Sequence, residues 1–413
     1  MKKLTTIFVF ILFMVASFFI YKNYEEAMEK EKQKAFDDTI NNIKEHYNSY
    51  VKTNKDSKIY EYVNDEYKEI GIVKQNVELR LSEIIIDENT KYFHLKELDY
   101  YIDYLDVTPI ENMKESYNHY KNYVVFNENI ITKETTSFYD EAGLLYTINK
   151  SFSLPIIIKE DDSYYVEYLN KLVYVKKEDV EKVLETSNTV QKTRNNIRTL
   201  AYHFVYKEGE ECTNSYICHS EEQFISHMKY INENDYFSLT MNDLKLFLQG
   251  KIQIPEKSIV ITLDDGYLAK NAIEIMEQNE VYGTYFVVTS WIKAENLVSK
   301  YVELHSHTDN MHNNYRCPGG NQGGQILCED RNKITEDLNT SREKLNNSIA
   351  FAYPFYDYND YIINILKEVG FELAFIGVHN TMGMADQNTD LFKIPRLTIS
   401  SLTTMDEFIS YLK

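Results

Sequence analysis

The chain has 413 residues, room for two or three domains with sizeable cores. Its formal net charge of −20 excludes nucleic acid and anionic lipid as principal partners. Aromatic residues reach 14%, chiefly from 35 tyrosines, so core material is plentiful and sugar-stacking side chains are at hand.

Lys2 and Lys3 open the chain, and Leu4 to Tyr21 then runs without a charge, broken only by Thr5, Thr6 and Ser17. About 18 largely apolar residues just reach across a bilayer core. With the lysines before the span and Glu25 and Glu26 soon after it, the N-terminus is expected to stay in the cytoplasm. The run is long for a signal-peptide core, and no Ala-x-Ala cleavage site is evident. Residues 1–22 are therefore expected to form an N-terminal transmembrane helix, a single-pass anchor in the cell membrane with the remaining chain extracellular. Residues 23–56 are charged, with helical spacing and few apolar anchors, and read as a juxtamembrane helix or stalk.

From residue 57 to about 184 the pattern changes to short strands, and it repeats. Tyr92-Phe93-His94-Leu95, with Asp106-Val107 at its end, is echoed by Tyr164-Tyr165-Val166-Glu167, ending at Asp179-Val180. Gly71 and Gly143 stand before the two copies. Short strands between turn signals suggest two small barrels, 57–108 and, after a connector, within 109–184. They are similar to bacterial SH3-type domains, which implies a cell-wall partner; a single irregular β spacer fits the same pattern.

A polar linker, Glu185 to Arg198, leads into a region where strands and helices alternate. Leu200-Ala201-Tyr202-His203 reads as a strand, and the Glu221–Asn234 and Met241–Leu248 stretches have helical apolar spacing. Strand-like Gly283–Val288 and Leu373–Gly377, and helical stretches at Ala272–Gln278, 334–346 and Tyr361–Gly370, continue the alternation. Such alternation predicts an α/β fold, a parallel (β/α) barrel over 196–413. In barrels of this kind chemistry sits at the C-terminal strand ends.

Two stretches at such ends carry chemistry. Ile259 to Leu263 is a short apolar run that delivers Asp264-Asp265-Gly266. Neighbouring side chains on an extended chain point opposite ways, so one aspartate can face a metal while the other faces water or substrate. The same triplet is also a common solvated turn. Forty residues on, His305, His307 and His312 place three of the ten histidines within eight residues. Two histidines and one carboxylate would complete a hydrolytic zinc shell with one position open to water. His305 and His307 share a strand face, whereas pairing His307 with His312 requires the chain to turn between them. Cys212, Cys218, Cys317 and Cys328 suit an oxidising compartment, and their count permits three connectivities, including pairing between the two loops.

Thr262-Leu263-Asp264-Asp265-Gly266 resembles the Thr-Phe-Asp-Asp-Gly motif of polysaccharide deacetylases, the NodB-homology or carbohydrate esterase family four. Ser306-His307-Thr308 with His312 is similar to that family's second motif, and Phe351-Ala352-Tyr353-Pro354-Phe355 to its third. Leu200-Ala201-Tyr202-His203-Phe204, upstream of the aspartates, resembles the permuted order of the branch containing poly-N-acetylglucosamine deacetylases. The resemblance spans residues 196 to 413.

It implies a distorted barrel that hydrolyses N-acetyl groups with a divalent cation, Zn²⁺ first and Co²⁺ or Ni²⁺ as alternatives. Asp265, His307 and His312 would be the ligands. Asp264 would be the base, His203 the acid that protonates the leaving amine, and Arg396 the partner orienting Asp264. The backbone N–H of Phe355 would stabilise the oxyanion, while Tyr353 and Pro354 would contact substrate. The sequence departs from the family pattern in four places. Leu263 replaces Phe; His312 follows His307 by five residues, as in the poly-N-acetylglucosamine branch; the third motif lacks its Arg; and His305 is extra, expected beside the ligands rather than among them.

The expected partner is an N-acetylglucosamine polysaccharide, peptidoglycan first because of the anchor and wall-type modules, exported poly-N-acetylglucosamine second. Two other classes fit parts of the sequence. One is an amidohydrolase using His305-x-His307, which lacks an evident metal-bridging lysine. The other is a wall-binding protein with an inactive deacetylase fold.

Overall fold

The computed structural model describes residues 21–38, 41, 50–82, 92–96, 98–111, 119–186, 191–378 and 383–413. The membrane anchor expected over residues 1–22 lies outside the described residues except for Tyr21 and Lys22, which are helical like the rest of 21–38. Among the described residues no helix is long and apolar enough to cross a membrane. The chain divides into two compact units.

Apart from the helix at 21–38, the first unit is built of strands and short 3₁₀ turns, and built twice over. Tyr50–Thr53 lies between Glu78–Arg80 and Val107–Ile110 in a three-stranded sheet; Glu128–Thr132 lies in the same way between Ser153–Pro155 and Val180–Glu185. A 3₁₀ turn precedes the last strand of each set, Tyr104–Asp106 and Lys177–Asp179. The remaining strands run Glu66–Val73, Ser57–Val63, Tyr100–Asp103, Tyr92–His94 in one half and Gly143–Ile148, Thr136–Asp140, Lys171–Lys176, Ser163–Tyr168 in the other. Glu66–Val73 pairs antiparallel with Gly143–Ile148, so the two halves share one sheet. The first copy begins at Tyr50, ahead of residue 57, and the second at Glu128. The two glycines that mark the sequence repeat do different work. A Cβ on Gly71 would lie 2.3 Å from the Thr147 carbonyl oxygen, so Gly71 lets the halves approach. Gly143 turns a hairpin at φ 127°.

The second unit holds a closed parallel barrel of seven strands: β1 (Thr199–Tyr202), β2 (Ser258–Leu263), β3 (Gly283–Val287), β4 (Val302–Ser306), β5 (Ala350–Ala352), β6 (Leu373–Val378) and β7 (Ile394–Thr398). Each strand pairs with the next in chain order, and β7 closes the ring by pairing with β1. All six residues of β2 are buried, as befits a strand covered on both faces. Around the barrel lie α1 (Glu221–Glu233), α2 (Met241–Leu248), α3 (Ala269–Gln278), α4 (Arg331–Lys344), α5 (Asp360–Val369) and α6 (Met405–Leu412). Their starts follow capping chemistry. Ser220, Asp330 and Asn359 each accept a first-turn N–H, and Thr240/Asp243 and Thr404/Glu407 form reciprocal capping boxes. β7 and α6 complete the barrel beyond the elements expected from periodicity.

Both disulfides are local, Cys212–Cys218 and Cys317–Cys328. Pairing between the two loops is thereby replaced by two separate stapled loops.

Candidate active site

β2 delivers Asp264 with its amide still bonded to the Tyr202 carbonyl at 3.1 Å. The backbone then turns left-handed at Asp265 (φ 76°) and Gly266 (φ 98°), which separates the two carboxylates. Asp264 points into the barrel, 2% exposed, where Arg396 of β7 grips it with both arms of its fork, Nη1 to Oδ1 at 2.6 Å and Nη2 to Oδ2 at 2.7 Å. Arg396 is fully buried, donates also to Thr262 Oγ1 at 3.2 Å, and lies against the rings of Tyr356, Phe286 and Phe375. Burial alone would push the Asp264 carboxyl up, but the guanidinium charge outweighs it and holds the group below its usual range.

Asp265 Oδ1 lies 3.3 Å from His307 Nε2 and 3.2 Å from His312 Nε2. These three ligand atoms all fall within 4.8 Å of one another. His307 donates its Nδ1–H to the Ala352 carbonyl at 2.7 Å, which leaves the Nε2 lone pair facing Asp265. A lone pair aimed at a carboxylate oxygen calls for a cation between them, so the donor set fits a divalent ion with a further position open. Burial opposes the charge on both partners. The hydrogen bonds between them win, so Asp265 stays well below and His307 rises above its usual range.

The turn needed between His307 and His312 occurs at Thr308, at φ 82°. The His312 ring then rests between Phe355 (4.6 Å) and the exposed Trp291 (5.2 Å). Phe355 and Tyr356 are also left-handed, at φ 58° and 59°. The backbone bonds of that turn run from Tyr356 to Tyr353 and from Asp357 to Pro354, so the Phe355 N–H is not spent in either. Left-handed non-glycine residues at Asp265, Thr308, Phe355 and Tyr356 all lie just past barrel strands, where strain accompanies function.

His203 follows β1, its carbonyl accepting from Tyr285 Oη at 3.2 Å. Its Nδ1 is buried and has no hydrogen-bond partner among the described residues. Burial pulls the imidazole below its usual range, against the opposing charges of Asp264 and Asp265. The fold thus gathers Asp264, Asp265, His307, His312, His203, Arg396 and the Phe355 turn at one end of the barrel.

One expectation needs correction. Tyr353 is fully buried with its hydroxyl donating to the Phe392 carbonyl at 3.1 Å, and Pro354 is buried too, so both frame the turn and neither can touch substrate. His305 lies outside the ligand set, with Nδ1 2.8 Å from Ser348 Oγ and Nε2 3.4 Å from Glu303.

Sequence reasoning missed Tyr356. Its ring fills space that a Cβ on Gly377 would occupy at 2.4 Å, and its hydroxyl meets Thr398 Oγ1 at 2.8 Å. A glycine inside a strand was the available signal, marking a close approach. Asp357 was missed as well. It accepts the backbone N–H groups of Asn321, Gln322 (3.2 Å) and Gly324 (2.7 Å), tying the Cys317–Cys328 loop to the Phe355 turn.

Residues 251–374 match the family model described as polysaccharide deacetylase. The chain is 22% identical over 205 residues to the polysaccharide deacetylase-type protein YxkH of Bacillus subtilis (strain 168), covering 47% of this chain and 70% of that one. It is 24% identical over 229 residues to the poly-β-1,6-N-acetyl-D-glucosamine N-deacetylase of Escherichia coli (strain K12), covering 43% of this chain but only 33% of the relative. A solved deacetylase of Streptococcus pyogenes, PplD in complex with acetate, aligns over 53% of this chain and 98% of its own, at 18% identity and a TM-score of 0.44. The chain carries a polysaccharide deacetylase domain.

Proposed function

We propose that this domain is a metal-dependent N-deacetylase that removes acetyl groups from N-acetylglucosamine units of peptidoglycan. One observation carries the reading: a carboxylate clamped by a buried arginine stands beside an Asp–His–His cluster and a histidine whose buried Nδ1 has no hydrogen-bond partner among the described residues. Zinc, or another divalent ion, bound by Asp265, His307 and His312 would polarise the acetyl carbonyl and lower the pKa of water.

The chain's own groups do the rest. Asp264, kept ionised by Arg396, takes the proton of the attacking water. The Phe355 N–H donates to the oxyanion as it forms. His203 protonates the leaving amine, because an amide anion is too basic to depart unaided. The proton that His203 gives up is made good by the one Asp264 takes from the attacking water, so the exchange balances. Exposed Trp291 and Tyr267 offer ring faces to neighbouring sugars.

The expected anchor and repeated β unit favour a wall polymer held close to the membrane. Exported poly-N-acetylglucosamine is the second reading, favoured by the similarity to the E. coli enzyme of that name. The test is to incubate the zinc-loaded extracellular portion with muropeptides and with poly-β-1,6-N-acetylglucosamine, then to measure released acetate and new amines by mass spectrometry. Deacetylated muropeptides are the expected result. Reaction of the exopolysaccharide alone moves the assignment to it, and no acetate from either polymer overturns the deacetylase reading.

A further inference from the structure

The outer face of the first β half carries a row of aromatic rings fixed by strand register. Tyr60 pairs across to Tyr101, and Tyr101 to His94. The second half repeats the row with Tyr139, Tyr174 and Tyr165. The adjacent residues Ile59, Ile102, Phe138 and Val173 are fully buried, so strand alternation sends both rows away from the core. In the first half the rings extend into a platform: Tyr67 lies 4.1 Å from Tyr92, 4.9 Å from Tyr62 and 5.2 Å from Tyr101. Tyr62 is 46% exposed.

The two rows differ in what meets their ring faces. In the second half the chain supplies its own cation, with Lys176 Nζ 5.0 Å above Tyr139. Glu160, Glu141 and Asp162 add negative charge beside Tyr165 of that row, whereas in the first half carboxylates also reach the ring substituents directly. Asp65 lies 3.4 Å from the Tyr62 hydroxyl, and Asp99 reaches His94 Nε2 at 3.0 Å and the Tyr101 hydroxyl at 3.5 Å. Glu69 and Asp103 add negative charge beside Tyr60. Lys58 also lies beside Tyr60, but its ammonium is paired with Glu69 at 2.6 Å. Aromatic faces rimmed by carboxylates are the chemistry that recognises an ammonium group, and flat rings pack against the apolar face of a pyranose. An amino sugar with a free amine satisfies both demands at once.

We propose that the Tyr60–Tyr101 platform binds a de-N-acetylated glucosamine polymer, a cationic glycan of the product class of the reaction proposed above, on which the choice of ligand rests. The second row, where Lys176 already covers Tyr139, does not take part.

Binding is measured on the full chain carrying Asp264→Asn, so that turnover plays no role, with a glucosamine hexamer as ligand in calorimetry. Joint Tyr60→Ala and Tyr101→Ala changes should weaken binding roughly tenfold or more, the scale of losing two cation–π faces. Joint Tyr60→Phe and Tyr101→Phe changes should restore it, because the rings remain. Tyr62→Ala, at an exposed position that tolerates truncation, should weaken binding even if the double alanine variant fails to fold. Tyr139→Ala should leave affinity unchanged. The proposal is overturned by equal affinity for the N-acetylated hexamer, by equal competition from poly-lysine, which would make the face a cationic-peptide site, or by no loss on removing the rings. Failure of the deacetylase reading is seen separately, as absence of acetate release by the unaltered chain.

Discussion

Two groups of enclosed or half-buried histidines sit on opposite sides of β1, and they have opposite fates. Tyr202 and His203 are neighbours, so their side chains leave the strand in opposite directions. On the Tyr202 side, its hydroxyl lies 3.0 Å from His227 Nδ1, and the His227 ring stacks on Phe408 at 3.9 Å. His219 has both nitrogens engaged, by Gln223 and by the Ile399 carbonyl. On the barrel side, His203, His307 and His312 face carboxylates: among the described residues His203 Nδ1 has no hydrogen-bond partner, and His307 and His312 turn Nε2 to Asp265. Burial depresses His227 to about 4, whereas Asp265 lifts His307 above its usual range despite equal enclosure. Burial alone does not mark a working histidine. An unspent nitrogen facing a charge does.

The sharpest way to break that contrast is at the ligands. His312→Ala should lose stoichiometric zinc and reduce acetate release to the uncatalysed background, because the water-activating ion is no longer held. His305→Ala should keep its metal, since that ring engages Ser348 and not the cluster. Metal analysis of the two purified variants decides the matter; retention of zinc by His312→Ala together with its loss in His305→Ala would point to the amidohydrolase arrangement.

Next in size is the acid. His203→Ala should retain zinc and fold but lose turnover by roughly 10²–10⁴-fold. His227→Gln, across the same strand, should stay within a few-fold of the parent. Comparable kcat values for the two variants would remove His203 from the mechanism.

How much of this was legible depended on whether the signal was local. The apolar run into Asp264-Asp265 and the histidine spacing are visible along the chain because strand alternation and loop position encode them directly. β7 was not, since Pro395 within Ile394–Thr398 reads as a strand breaker, yet it pairs with Ile376 in the closed barrel. The consequence is that Arg396 could be tied to Asp264 by resemblance, while its two-armed grip depends on a strand contributed from 132 residues away. Tyr353 misled for a related reason. A motif position states that a residue matters, and only the barrel reveals that its side chain faces inward to Phe392. The tyrosine rows were likewise hidden, because register across three strands is a non-local property.

Arg396 supplies the third test. Arg396→Leu leaves Asp264 as a buried charge without its partner and should cost about 3–5 kcal/mol of stability. Arg396→Lys keeps the charge but gives up the fork, so the fold should survive while kcat falls by roughly tenfold to a hundredfold. Chemical denaturation and steady-state kinetics on the pair separate the two roles; an Arg396→Lys enzyme with parental kcat would reduce the arginine to a structural counter-ion.

The smallest effect tests the other side of β1. Because the His227 pKa falls to about 4 in the fold, from about 6.5 when unfolded, the folded state prefers the neutral ring. Above pH 6.5 both states are neutral and stability is complete. As pH drops toward 4 the unfolded chain takes up a proton that the folded chain refuses, so stability declines, by about 3 kcal/mol in all and by about 2 kcal/mol at pH 5. His219 and His203 are shifted in the same direction and add to the decline in every variant, so the informative quantity is a difference. His227→Gln cannot titrate and still offers a polar partner to the Tyr202 hydroxyl. Urea unfolding at pH 7 and pH 5, at one fixed zinc concentration, should show the parent losing about 2 kcal/mol more than the variant. Equal losses would mean that His227 accepts its proton inside the fold, and the division between working and packed histidines would then need a criterion other than the unspent nitrogen.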